Sequence, residues 1–409
     1  MSKQQQQGAH KINGFVKPGF EPVKTAFIEN FERRKEIGAA CCIFYNREKV
    51  VDLWGGVRNY VTQEPWEEDT MVMVFSTSKG MSGLAVALAQ TRGLLDYDQL
   101  VSKYWPEFAQ QGKEKITIRQ LLAHQAGLFA LDARLNKELL TDLDRLAVAL
   151  AQEKPAWEPG SRQAYHAITL GFYESELIRR VDPKHRSLGQ FFQDEIATPL
   201  GLDFYIRLPD SIPDSRLAKL KQANPATMIF AVPLALTLSI MNSRSVFRRA
   251  FKIEDIRQFI PDDKHGYYRN LEIPSGTGVG NARAIAQAYS VFTTGGKELG
   301  LREETLRQLM APPVPPVHGF HDECLKIDCA FSLGFLKPEG VNLFGDPSSF
   351  GAPGSGGSFG FADPVNKIGY GYVLNRMGPG LVDPRDTALR TAMYKSIGKP
   401  DPYNIKSHT

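Results

Sequence analysis

The chain has 409 residues, of which 42% are apolar and 23% charged, as expected of a soluble globular protein able to bury a real core in two domains or in one with a large insertion. Its net charge of +4 is weak and spread along the length, which argues against a nucleic-acid partner. The four cysteines, Cys41, Cys42, Cys324 and Cys329, form no CxxC pair and lack structural-zinc spacing, so they read as reduced thiols, with no metal site and no cofactor expected.

Residues 1–19 read as a flexible tail with no apolar core of the kind a signal peptide needs, so a cytoplasmic location is expected. A helix is expected from about Phe20 to Lys35. The stretch from Ile37 to Gly56, IGAACCIFYNREKVVDLWGG, reads as a β-hairpin turning at Asn46-Arg47-Glu48-Lys49. In TMVMVFSTSKGMSGLAVALAQTRGLL, from Thr70 to Leu95, an apolar run ends at Phe75, the tetrad Ser76-Thr77-Ser78-Lys79 follows, and a helical pattern begins.

The middle of the chain is mostly helical in pattern. ITIRQLLAHQAGL offers Thr117 as N-cap and Gly127 as C-cap. DLDRLAVALAQE, ITLGFYESELIRRV and NARAIAQAYSVFTTGG each read as one amphipathic helix, the last closed by Gly295-Gly296. The longest apolar run, Met228 to Met241, is interrupted by Pro233 and is too short to span a bilayer. It reads as a buried helix or as a wall over a greasy substrate. From Phe331 strands return in FSLGFL, GGSFGFADP and IGYGYVLNRM, and DTALRTAMYKSI is a closing helix. Strands at both ends and helices between them predict an α+β fold, an α/β sandwich. One antiparallel sheet is built from residues 20–65 and 325–409 with flanking helices, and residues 66–324 form an inserted, mainly helical domain. The active site is expected in the cleft between them.

Residues three apart share a helix face, so Ser76 and Lys79 point the same way. A serine hydroxyl becomes a useful nucleophile when a base takes its proton, and a lysine can be that base when burial lowers its pKa. A second serine motif, Gly356-Gly357-Ser358-Phe359-Gly360, matches the G-x-S-x-G nucleophile elbow, but a strand and turn follow it where that motif needs a helix. His124 near a helix end reads as a core or capping residue, and His318 and His321 read as residues at the rim of the cleft.

Together FSTSKG, ITIRQLLAHQAGL, WEPGSRQAYHAITLGF, ATPLGLDFYIRLP and FGAPGSGGSFGFADP resemble the serine β-lactamase-like superfamily. The resemblance is to the class C β-lactamase and family VIII carboxylesterase branch and covers about residues 20 to 395. It implies the β-lactamase/D,D-peptidase-like fold, Ser76 as nucleophile, Lys79 as base and Tyr165 as partner acid or base. It further implies an oxyanion hole from the backbone N–H groups of Ser76 and Ser355, and substrate contacts at His166, Ala352 and Gly354. Ala167 stands where β-lactamases of this branch have Asn, and Ala352-Pro353-Gly354 stands where they have Lys-Thr-Gly. Loss of that amide and that cation weakens the case for β-lactam acids and favours neutral esters. The resemblance therefore implies a serine carboxylesterase acting through an acyl-enzyme on a small-molecule ester or amide. A β-lactamase or D,D-peptidase, an acyltransferase and a non-catalytic binding module with a vestigial site are its alternatives. The oligomeric state is not legible.

Overall fold

The structure is a computed structural model that describes residues 11–400, apart from 225, 228–230 and 341–342. Twelve strands occur among them: β1 (Ile12–Val16), β2 (Gly38–Tyr45), β3 (Glu48–Asn59), β4 (Glu64–Pro65), β5 (Val72–Met73), β6 (Phe204–Tyr205), β7 (Val279–Gly280), β8 (Ala330–Ser332), β9 (Phe335–Lys337), β10 (Phe350–Pro353), β11 (Phe359–Asp363) and β12 (Ile368–Leu374). They form a nine-stranded antiparallel sheet in the order β1-β3-β2-β12-β11-β10-β9-β8, with β4 on β3, and a three-stranded sheet β5-β7-β6.

The expected hairpin is present. Asn46 and Arg47 turn it with φ of 51° and 71°, the two left-handed positions that a tight hairpin of this hand requires. The chain ends join as expected: β2 pairs with β12, with Cys41 opposite Tyr372. All four cysteines are buried and free.

β2 and β12 are buried throughout or nearly so, because helices cover both sheet faces. Alternate residues of β12 show how. Tyr370 and Tyr372 point to one face, where Tyr370 donates to Asp386 on the closing helix Pro384–Ser396. On that face, helix α1 (Glu21–Arg33) meets the closing helix through a hydrogen bond from the Asn30 side chain to the carbonyl of Arg385. Gly369 and Gly371 point to the other face, against the helix Ala282–Thr293. A methyl group at Gly371 would stand 2.3 Å from the carbonyl oxygen of Ala282. Glycine there is a packing requirement, not a turn signal.

Four expectations change. Within the expected 1–19 tail, residues 12–16 form the edge strand β1, paired with β3; residues 1–10 lie outside the described part. The helix Ala282–Thr293, placed by sequence in the inserted domain, packs on the nine-stranded sheet against β12. FSLGFL is not one strand but the β8–β9 hairpin, turned at Leu333 and Gly334 with φ of 53° and 89°. The expected helix after Thr117 has its capping box with Gln120, but it spans only Ile118–Leu122 and ends before His124, whose φ is 61°. The apolar run starting at Met228 lies outside the described residues up to residue 230; its helix runs Leu234–Met241. No helix among the described residues is long and apolar enough to cross a membrane.

Replacing Gly371 by Ala should destabilise the fold by about 1–3 kcal/mol through overpacking against the helix Ala282–Thr293. Urea unfolding of Gly371→Ala beside the parent tests this. An unchanged midpoint would show that the helix is free to move away.

Candidate active site

Strand β5 delivers the chain to Phe75, which has a φ of 48°. A left-handed, non-glycine residue costs about 1–3 kcal/mol and persists only where its surroundings hold it. It sets Ser76 at the N-cap of the buried helix α2 (Thr77–Thr91), where the helix field favours negative charge. Ser78, inside the tetrad, is structural: its hydroxyl donates to Phe75 O and accepts from the Gly278 N–H.

Lys79 lies one turn along α2 and is almost wholly buried. Its Nζ is 3.3 Å from Ser76 Oγ, 2.6 Å from the carbonyl oxygen of Ala167 and 2.9 Å from that of Ser275. The two carbonyls accept two N–H bonds. In the neutral amine the third position is a lone pair, and it faces the serine hydroxyl. Burial pushes the Lys79 pKa down to about 7, although Glu174 and Cys324 pull the other way. The arrangement is a buried amine able to accept a proton from Ser76 near neutral pH.

Tyr165 joins this pair, with its ring face 4.7 Å from Lys79 Nζ. Burial raises its phenol pKa above the ordinary value, and a hydrogen bond with Ser76 offsets only part of that. Tyr165 is therefore a neutral phenol at neutral pH, a donor and not a resident tyrosinate. Its ring stacks on Phe331 at 5.5 Å. The backbone before it is pinned by Asp322, which accepts from the side chain of Gln163 and from the N–H groups of Cys324 and Leu325.

The turn after β10 closes on the same helix start. A Cβ on Gly354 would lie 2.2 Å from Val74 O, so only glycine fits there. Ser358, the elbow-like serine, is buried, and its Oγ bonds Val74 O at 2.9 Å and Thr77 Oγ1 at 3.1 Å. It clamps the turn to the start of α2. Ser355 is exposed at the tip of that turn. Neither the Ser76 nor the Ser355 N–H donates a hydrogen bond within the described chain, so both donors remain free. The far side of the turn rests on a buried ion cluster. Arg385 binds Glu36 at 2.9 Å and Asp383 at 2.6 Å, and also donates to Gly356 O at 3.3 Å.

Two expected substrate contacts are buried. His166 is fully buried: its Nδ1 pairs with Ala164 O at 2.6 Å, and its Nε2 accepts from the Leu128 N–H at 3.1 Å. Both nitrogens are used in holding backbone, and burial lowers its pKa to about 4, so it is a neutral structural residue. Ala352 is buried, with its side chain toward Gly80 of α2. His124 is a core residue whose Nδ1 accepts from the His166 N–H. His321 pairs with Asp328 at the surface. No cluster of metal-ligating side chains occurs among the described residues.

Two participants escaped the sequence. Ser275 contributes its carbonyl, and its hydroxyl bonds Ile168 O at 2.6 Å, tying the loop after Pro274 to the segment after Tyr165. Its signal was the run Pro274-Ser275-Gly276-Thr277-Gly278, a tight-loop composition. Glu174, on the helix Thr169–Val181, is fully buried with no hydrogen-bond partner for either carboxyl oxygen within the described chain. Burial lifts its pKa to about 8, against the pull of Lys79.

Comparison with known proteins finds relatives over most of the chain. The family model described as Beta-lactamase matches residues 23–393. The esterase/beta-lactamase LipL of Mycobacterium tuberculosis is 30% identical over 384 residues, 91% of this chain and 85% of that protein. A family VIII carboxylesterase crystal structure aligns at a TM-score of 0.80 and 34% identity, over 94% of this chain and 100% of that one. EstA from Arthrobacter nitroguajacolicus aligns at 0.81 and 33%, over 94% and 98%.

Replacing Arg385 by Met would strand the carboxylates of Glu36 and Asp383 in the core. A loss of about 3–5 kcal/mol is expected by chemical denaturation. A loss below about 1 kcal/mol would mean the cluster is not needed to hold the turn.

Proposed function

Because the chain belongs to the beta-lactamase family, we propose that it is a serine carboxylesterase that works through an acyl-enzyme on Ser76. The observation that carries this reading is the bonding of Lys79 Nζ: two bonds to carbonyl oxygens and a third contact to Ser76 Oγ.

Neutral Lys79 takes the proton of Ser76 as its oxygen adds to the ester carbonyl. The new oxyanion is received by the Ser76 and Ser355 N–H groups, each such donor being worth about 3–4 kcal/mol in the transition state. Collapse of the adduct expels the alcohol, protonated by the Tyr165 hydroxyl, and Lys79 returns its proton to the tyrosine. Water then adds to the acyl-enzyme by the same route in reverse, giving the acid and regenerating Ser76. The buried Ala352 and the Ala167 side chain provide neither the cation nor the amide that would select a β-lactam acid. The name of the relative LipL joins esterase and beta-lactamase, so β-lactam hydrolysis is the competing reading.

The test is turnover of p-nitrophenyl butyrate beside nitrocefin. Ester turnover should dominate, and Ser76→Ala should lose it by at least about a thousandfold while keeping the fold. Full activity in Ser76→Ala would end this reading, and nitrocefin turnover equal to that of the ester would favour the competing one. Tyr165→Phe should lower kcat by about a hundredfold or more.

The pH dependence follows from the sign of the Lys79 shift. The active form is the neutral amine, so kcat/KM should fall as pH drops below about 7 and level off above it. A pH profile of kcat/KM that is flat across pH 7 would remove Lys79 as the base.

A further inference from the structure

The helix Leu234–Met241, sequence LALTLSIM, carries no charge. Its inner face, with Leu236, Thr237 and Ser239, is buried. Its outer face sets Leu234, Leu238 and Met241 at successive turns with 74%, 59% and 75% of their surface exposed. Scattered exposed apolar residues need no explanation, but an uncharged helix whose outer face is apolar and bare does.

The next segment folds back onto it through the Ser245 hydroxyl, which donates to Ser239 O at 2.6 Å. It presents Arg244, Arg248, Arg249 and Lys252, all exposed. Arg244, Arg248 and Lys252 form no ion pair among the described residues, and Arg249 reaches Asp132 only at 4.0 Å. Of the acids close by in the chain, Glu254 is committed to Arg134 and Asp255 opens the following turn.

We propose that this bare apolar helix and its basic flank are a docking surface for an anionic phospholipid bilayer, on which the protein lies without spanning it. An apolar stripe bordered by arginine and lysine is the pattern of an interfacial helix: the aliphatic side chains enter the acyl boundary and the cations meet the headgroup phosphates. A second copy fits less well, because a two-fold contact through this helix would bring the two basic flanks together. The segment runs close to the candidate site. Phe251, at the end of the same segment, lies 6.5 Å from the Tyr165 ring, and Ala231, before the helix, lies against Gly380 in the loop after β12.

Co-sedimentation with vesicles tests the surface. The full chain should pellet with vesicles of equal parts phosphatidylglycerol and phosphatidylcholine, much less with phosphatidylcholine alone, and less in high salt. Leu234→Asp with Leu238→Asp should abolish binding while far-UV circular dichroism and the melting midpoint stay as in the parent. Arg244→Ser with Arg248→Ser should weaken it by about thirtyfold. Ser76→Ala should bind as the parent does, so the outcome is independent of the hydrolase reading. Absence of binding to anionic vesicles, or binding undiminished in the leucine pair, overturns the proposal. A parent dimer that the leucine pair turns into a monomer, with no vesicle binding, assigns the stripe to self-association instead.

Discussion

Everything at the site depends on keeping an ammonium-forming side chain out of water. Lys79 is held by two backbone carbonyls that lie far apart in sequence, Ala167 O and Ser275 O, and its remaining direction faces Ser76. Burial alone would only make the charged form costly; the carbonyls decide where the amine points. That double constraint explains why three chain segments converge here: α2 brings the lysine, the segment after Tyr165 brings one acceptor, and the loop after Pro274 brings the other. The loop is in turn fixed to both partners, through the Ser82 hydroxyl on Pro274 O and the Ser275 hydroxyl on Ile168 O.

Glu174 belongs to the same electrostatic problem. A second titratable group in the dry interior near Lys79 forms a pair whose protonation states depend on each other. With the carboxyl protonated, the amine is free to stay neutral. An ionised Glu174 would hold the proton on Lys79 and remove the base. The absence of a close hydrogen-bond partner for Glu174 within the described chain is consistent with its neutral form, since an unpaired buried carboxylate is the costliest alternative.

The sequence showed which side chains meet better than which backbone groups do. The closeness of Ser76 and Lys79 was legible from their spacing, the place of Tyr165 beside them from its motif, and the joining of β2 with the C-terminal strands from the distribution of apolar runs. Ser275 was not, because its contribution is a carbonyl, and every residue has one. Glu174 was hidden because an acidic residue in an amphipathic helix ordinarily marks the wet face. His166, a substrate contact only by resemblance, is turned inward, where its ring holds Leu128. The packing of Ala282–Thr293 on the sheet was not legible because its amphipathic pattern states that the helix has a buried side, not which layer covers it. Its address is written in β12, where Gly369 and Gly371 leave room for it.

The pairing of β2 with β12 also fixes a timetable. During synthesis, β2 and β3 emerge early as a hairpin, but the neighbour that covers the free edge of β2 is among the last strands to be made. Until then a strand buried on both faces in the finished protein stands open, with its row of unpaired amides available to any passing chain. Ser76, Lys79 and Tyr165 are translated long before Ser355, so a nascent chain holds this trio without the turn that closes on the start of α2. The architecture therefore puts the greatest exposure to misassembly in the interval before β12 is made.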